Sequence, residues 1–256
     1  MMNKANEVIE ALRSKSDEKQ RRILMKFFKT GKGEYGEGDK FLGLKVPQVR
    51  SVAAECNEMG FDEIYRLLQS EWHDARLCGL LVLVARFEKL CSKRLTDNEE
   101  AMKERDNIVE FYIANAERAN NWDLVDLSAP KILGYWLLLP SCYSEQEKIE
   151  AVDNLANSGN LWKERISMVC TWGALQKGNP AFTLRYAERH LMHHHDLMHK
   201  AVGWMLREMG KRVSMELLRS FLTKHATEMP RTALRYAIEK MNEDERKQWL
   251  NVKKKP

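Results

Sequence analysis

Apolar residues recur at helical spacing along nearly the whole chain. Val8, Ile9 and Leu12 fall three and four apart, as do Ile23, Leu24, Phe27 and Phe28, so each set lies on one face of a helix. Read this way, the pattern predicts helices over 5–14, 17–29, 47–58, 61–70, 73–91, 97–117, 121–138 and 145–157. It predicts more over 160–177, 181–192, 196–210, 214–224, 231–240 and 243–250. Ser16 is placed to cap the second helix, and Thr96 or Asp97 the sixth. Pro47 sits where a first helical turn tolerates a missing N–H. The one long interruption is GKGEYGEGDK, residues 31–40, and the KKKP end is expected to fray.

Several of these helices align with one another. The segments AR-LCGLLVLV, VD-LSAPKIL, ER-ISMVCTW, HK-AVGWMLR and LR-YAIEKM each start with a polar residue and continue with an apolar face. The aligned polar positions are Arg76, Asp126, Arg165, Lys200 and Arg235, and the last three are spaced by 35 residues. That period is typical of repeats built from helix pairs, which bury a continuous core by stacking. The expected fold is therefore all-α, an α-solenoid of stacked antiparallel helix pairs. Residues 1–256 form one domain in this reading, with the first helix (1–15) and the tail (251–256) peripheral. Four of the five aligned residues are basic, which predicts a row of positive charge on a concave inner surface; Asp126 is the one acid in that row.

Composition agrees with the helical pattern. Glycine (13) and proline (6) are scarce, and leucine outnumbers valine and isoleucine combined, which argues against a β fold. The mean hydropathy is −0.54, and no apolar run approaches the ~18 residues of a membrane span. The N-terminus lacks the apolar core of a signal peptide. Five cysteines without a C-x-x-C pair read as reduced thiols of a cytoplasmic protein. The net charge of +5 does not by itself identify a partner, so the distribution of charge has to decide.

Four segments carry candidate chemistry. In NNWDLVD, Trp122 and Asp126 are four apart and share a helix face. They are either a core aromatic and an ion-paired acid, or the wall and the anchored carboxylate of a cleft. In LWKERI, Trp162 and Arg165 share a face, with Lys163 between them. Arg165 is either half of a structural ion pair or a group that orients Asp126 or holds a phosphate. In HKAVGWMLRE, Lys200, Trp204 and Arg207 lie on one face. A tryptophan between two cations suits a sugar or base beside phosphates, though a half-buried tryptophan with snorkelling cations has the same spacing.

In the Gly-rich segment, Gly31, Gly33 and Gly36 match G-x-G-x-x-G, but a helix precedes them where a dinucleotide site needs a strand. Lys32, Tyr35, Lys45 and Arg50 would instead let this loop lie against a phosphate backbone. The histidines of HLMHHHDLMH have i, i+4 spacing but no third ligand, and read as a solvated helix end.

These same segments, GEYGEGDKFLGLKVPQVR, NNWDLVD, LWKERI and HKAVGWMLRE, resemble in content and order the HEAT-like-repeat DNA alkylation-repair enzymes, the alkylpurine DNA glycosylase D family. The similarity runs from about residue 25 to 240. It implies a catalytic aspartate at Asp126 with an aromatic partner at Trp122, a second cleft tryptophan at Trp204 and a cleft arginine at Arg165. Lys45 and Arg50, around Pro47, match a backbone-contacting stretch, and Tyr35 is the nearest match to a cleft tyrosine near the N-terminus. The implied activity is monofunctional hydrolysis of the N-glycosidic bond of cationic N3- or N7-alkylated purines in double-stranded DNA, without metal or organic cofactor and without flipping the base into a pocket. Arg76, Lys163, Lys200, Arg207 and Arg235 would join the loop residues in binding DNA. A monomer without membrane contact is expected. Two alternatives stay open: a non-catalytic DNA-binding module on the same scaffold, and a protein-interaction scaffold.

Overall fold

A computed structural model describes residues 2–56 and 59–252; the predicted end of the third helix at Glu58 and the KKKP tail fall outside them. Among the described residues the regular structure is helical, with one isolated bridge between Lys40 and Trp72. The chain forms two compact units, residues 1–132 with 139–142, and residues 133–138 with 143–256.

The first unit contains α1 (Ala5–Arg13), α2 (Glu18–Phe27), α3 (Val46–Ala54), α4 (Phe61–Leu68), α5 (His73–Leu90), α6 (Glu99–Ala114) and α7 (Trp122–Ser128). Its centre is α5, which packs against α3, α4, α6 and α7. Helices surrounded on all sides must be apolar all round, and every residue from His73 to Val84 is buried. Tyr112 of α6 and Ser128 of α7 share a hydrogen bond at 2.9 Å, which pins the end of α7.

The second unit contains α8 (Leu133–Trp136), α9 (Glu145–Ala156), α10 (Leu161–Val169), α11 (Thr171–Leu175), α12 (Ala181–Arg189), α13 (Asp196–Arg212), α14 (Met215–His225), α15 (Arg231–Ala237) and α16 (Glu243–Asn251). Here α9 packs on α10, α12 and α14 on α13, α10 on α13, and α13 on α15. The helices that the internal repeat aligns are therefore stacked neighbours within each unit: α5 with α7, α10 with α13, and α13 with α15. The all-α fold of stacked helix pairs read from the sequence is the one observed.

The differences from the periodic pattern lie at helix ends. The predicted helix 121–138 stops at Ser128, because Pro130 has no N–H to continue it, and only the single turn of α8 follows. The predicted helix 160–177 breaks at Cys170. There the hydroxyls of Ser167 and Thr171 bond the carbonyls of Glu164 and Met168, three residues back, in competition with the helical ladder. The N-cap of α2 is Asp17, whose carboxylate accepts from the Gln20 N–H, and not Ser16. Asn98 caps α6 in place of Thr96 or Asp97.

Candidate functional site

A cleft of about 490 Å³ opens in the first unit. It is lined by Phe27 and Phe28 at the end of α2, by Lys45, Val46 and Pro47 at the start of α3, by His73 of α5, and by Trp122, Asp123 and Asp126 of α7. The aromatic rings are layered. Phe28 stacks on Trp122 at 5.2 Å and on Phe41 at 5.1 Å, and Phe27 meets Trp122 edge-on at 5.8 Å. Phe27 is 60% exposed, an unusual state for a phenylalanine, and it extends the ring wall outward. Trp122 and Asp126 are both half-buried, and the four-residue spacing on α7 turns both toward the cleft.

Beneath these rings lies a buried polar network. His73 Nδ1 is 2.8 Å from Asp39 Oδ2, and His73 Nε2 is 2.9 Å from Asp123 Oδ2. Arg76 donates to the other oxygen of Asp39 at 2.5 Å and to the Ser70 carbonyl at 2.9 Å. Burial alone would push the imidazole pKa down. The charges and hydrogen bonds of Asp123 and Asp39 outweigh it and raise that pKa to about 9. Burial likewise pushes Asp39 up, but His73 and Arg76 hold it below the usual carboxylate range.

Asp74 completes the anchoring. Its carboxylate accepts from the Leu42 N–H at 2.7 Å and the Leu44 N–H at 3.1 Å, and burial raises its pKa. The first turn of α5 thus grips residues 39–44 and sets where Lys45 and α3 begin. Gly36 sits in the same segment, buried, where a Cβ would come within 2.4 Å of the Phe28 carbonyl oxygen, so no larger residue lets the loop close onto α2.

The sequence-derived candidates divide sharply. Asp126, Trp122 and Lys45 line the cleft, and Arg50 and Lys32 are exposed on α3 and the Gly-rich loop. Tyr35 is half-buried and is not among the lining residues; the nearest aromatic wall is Phe27 and Phe28, which the sequence reading used only as helix-face residues. Arg76 is 2% exposed and committed to Asp39 and Ser70, so it is no part of a surface row of cations.

In the second unit Arg165 is also buried, 4% exposed, with its guanidinium donating to the Leu197 carbonyl at 2.6 Å. An arginine at the packed face of α10 and α13 serves that junction, which corrects its place in the expected basic row. Lys163 and Trp204 are half-buried, and Lys200 is paired with Asp196 at 2.8 Å. Arg207 pairs with Glu239 and Glu208, while Arg235 is exposed.

The histidine cluster is solvated only in part: His194 is exposed and His193, His195 and His199 are half-buried. His190 is buried against Ser167, and burial pushes its pKa down to about 4. The His195 ring accepts from the Leu197 N–H as the N-cap of α13. Among the described residues no group of three His, Cys, Asp or Glu side chains is arranged to hold a metal ion, and no helix is long and apolar enough to cross a membrane.

Sequence reasoning passed over His73, Asp39 and Asp123. The signal was present in HDAR, where three chargeable side chains open the central, buried helix of the first unit. Its meaning depends on partners 34 and 50 residues away.

Residues 8–241 match the family model described as DNA alkylation repair enzyme. The chain belongs to this family. Among curated proteins no significant match is found. Among solved structures, a predicted DNA alkylation repair enzyme from Enterococcus faecalis superposes with a TM-score of 0.62 at 12% identity, over 89% of this chain and 97% of that one. At that identity the likeness speaks to the fold. Membership assigns the chain to the repair of alkylation damage in DNA.

Proposed function

We propose that the protein is a monofunctional DNA glycosylase that hydrolyses the N-glycosidic bond of cationic N3- or N7-alkylated purines in double-stranded DNA. The observation that carries this reading is the half-buried carboxylate of Asp126 beside the stacked aromatic rings of one cleft, whose other two carboxylates, Asp74 and Asp123, are bonded to the Leu42 and Leu44 N–H groups and to His73. Alkylation at N3 or N7 leaves a purine positively charged. When its bond to C1′ breaks, the electron pair goes to the base nitrogen and neutralises it, so no general acid is needed, unlike a two-carboxylate glycosidase. Positive charge develops on the sugar instead. Asp126 stabilises that charge and orients the water that attacks C1′, whose proton leaves to solvent. The half-buried Trp122 ring offers π-density to the same cationic centre, and Phe28 backs it from behind. The products are a neutral free base and an abasic site.

Sequence-independent affinity comes from phosphate contacts. Lys32, Lys45 and Arg50 supply them from the first unit; Lys163, Lys200, Arg207 and Arg235, with Trp204, are the second unit's contribution. No metal or organic cofactor enters this chemistry, one chain suffices for it, and the enzyme works on cytoplasmic DNA. The alternative is a non-catalytic DNA-binding module on the same scaffold.

The discriminating experiment incubates duplex DNA carrying N7-methylguanine with wild type and with Asp126→Asn. The glycosylase reading expects base release by wild type, a loss of about tenfold or more in the variant, equivalent to about 1.4 kcal/mol of transition-state stabilisation, and retained DNA binding. Equal release by both proteins removes Asp126 from the chemistry and overturns the proposed mechanism, while no release by wild type alongside tight salt-dependent binding selects the non-catalytic module.

A further inference from the structure

The buried group that the proposed chemistry does not use is His73. It is 2% exposed, yet it borders the cleft, and each of its ring nitrogens faces a different carboxylate. Those carboxylates come from separate pieces of chain. Asp39 closes the Gly-rich segment, and Asp123 sits in the first turn of α7, between Trp122 and the turn that carries Asp126.

We propose that His73 is a positioning residue that works as an imidazolium, donating from both ring nitrogens and so locking the Gly-rich segment and α7 into the geometry that Trp122 and Asp126 need.

An ionised carboxylate only accepts, and a neutral imidazole has one N–H. With one proton on the ring, one of the two contacts at 2.8 and 2.9 Å would set a lone pair against a carboxylate. With two protons both contacts are donated hydrogen bonds, and the four charges of His73, Arg76, Asp39 and Asp123 cancel. Arg76 fixes Asp39 as the ionised partner by bonding its other oxygen.

The remaining charged neighbours are committed elsewhere. Asp74 faces His73 on the same helix but accepts from Leu42 and Leu44. Arg118, whose charge acts on Arg76 and Asp39, donates to the Leu68 and Ser70 carbonyls. On the aromatic side the His73 ring stacks on Phe41 at 4.3 Å; Phe41 stacks on Phe28, and Phe28 on Trp122. His73 therefore touches the cleft wall twice, through Asp123 by hydrogen bond and through Phe41 and Phe28 by stacking. Its raised pKa, about 9, agrees with the donor count.

This role rests on the proposed chemistry of the cleft, but its first two readouts do not. In protein with 15N-labelled histidine, ring correlation spectra at about pH 7.5 should show both His73 nitrogens protonated, assigned by loss of the signal in His73→Gln. An unprotonated ring nitrogen at that pH overturns the proposal. With fluorotryptophan labelling, the Trp122 resonance, assigned through Trp122→Phe, should shift as His73 deprotonates near pH 9. A Trp122 resonance that ignores this titration also overturns it.

Asp123→Asn serves as a second variant if His73→Gln does not fold; it should lower the His73 midpoint and move the Trp122 signal, and an unchanged midpoint counts against the proposal. The third readout is kinetic. His73→Gln should lower kcat for base release by about tenfold or more, the scale on which small misplacements act, with DNA affinity held within about twofold. A variant with full kcat and only a lower melting temperature would show a purely structural histidine. If wild type releases no base, the glycosylase reading fails, while the two spectroscopic readouts still decide the role of His73.

Discussion

Gly203→Ala tests the packing that holds the second unit together, because two physical effects pull in opposite directions. Gly203 lies on α13 against α15. On an open helix face, replacing glycine by alanine stabilises by about 0.5–1 kcal/mol, since alanine has less backbone freedom to lose. At this position the new Cβ would stand 2.4 Å from the Ala233 carbonyl oxygen and 2.5 Å from the Tyr236 Cβ. Both belong to α15 close to its axis, and neither can rotate away. Ordinary contact requires about 1 Å more, so α15 has to retreat, at the roughly 1–3 kcal/mol of an overpacked core.

The clash outweighs the propensity gain, and the net expectation is destabilisation by about 1–2 kcal/mol. For a chain of this size that lowers the melting temperature by about 2–8 °C, read by far-UV circular dichroism with urea unfolding as a second measure. Gly210→Ala is the internal control. Its Cβ would meet the Leu218 Cδ2 at 2.6 Å, the tip of a side chain that can change rotamer, and the fixed Leu218 Cβ only at 3.2 Å, so its loss should be smaller. A neutral or stabilising Gly203→Ala, or equal losses at both positions, would refute the close backbone approach of α13 and α15.

Two more outcomes follow from the first unit. Arg105 is fully buried and donates to the carbonyls of Leu90, Leu95, Thr96 and Pro140. Arg105→Met keeps the bulk but strands these acceptors, each costing about 1–3 kcal/mol if left dry. A loss of about 3 kcal/mol or more in urea unfolding is expected, and less than about 1 kcal/mol would mean that solvent replaces the guanidinium. The stability of wild type relative to His73→Gln should depend on pH in a defined direction. His73 has a folded pKa of about 9 against 6.5 when unfolded, so the folded state binds the extra proton between those values. The stabilisation is present in full below about pH 6.5 and is lost as pH rises through 9, by about 3 kcal/mol in all. A difference that stays constant or grows over that range would contradict the imidazolium.

The unit of sequence that carried most information was the helix face. Periodicity alone located nearly every helix, and the repeat correctly aligned α5 with α7 and α10 with α13 and α15, because apolar spacing records which side of a helix is buried. It also brought Trp122 and Asp126 to one face, and the cleft contains both. What periodicity cannot encode is the exposure of a charged residue at the edge of an apolar stripe. Arg76 and Arg165 occupy the same repeat position as Lys200 and Arg235, yet the first two are buried on Asp39 and the Leu197 carbonyl. Whether such a cation faces solvent or a partner depends on which loop or neighbouring helix covers it, and that is a matter of tertiary contact. The same holds for His73, whose carboxylate partners come from a glycine-rich loop and a helix start far away in the chain. Local spacing therefore determined the fold class and the α7 pair. Only the folded chain decided which charges became ligands of one another and which remained at the surface, because burial of a charge is settled by its long-range partners.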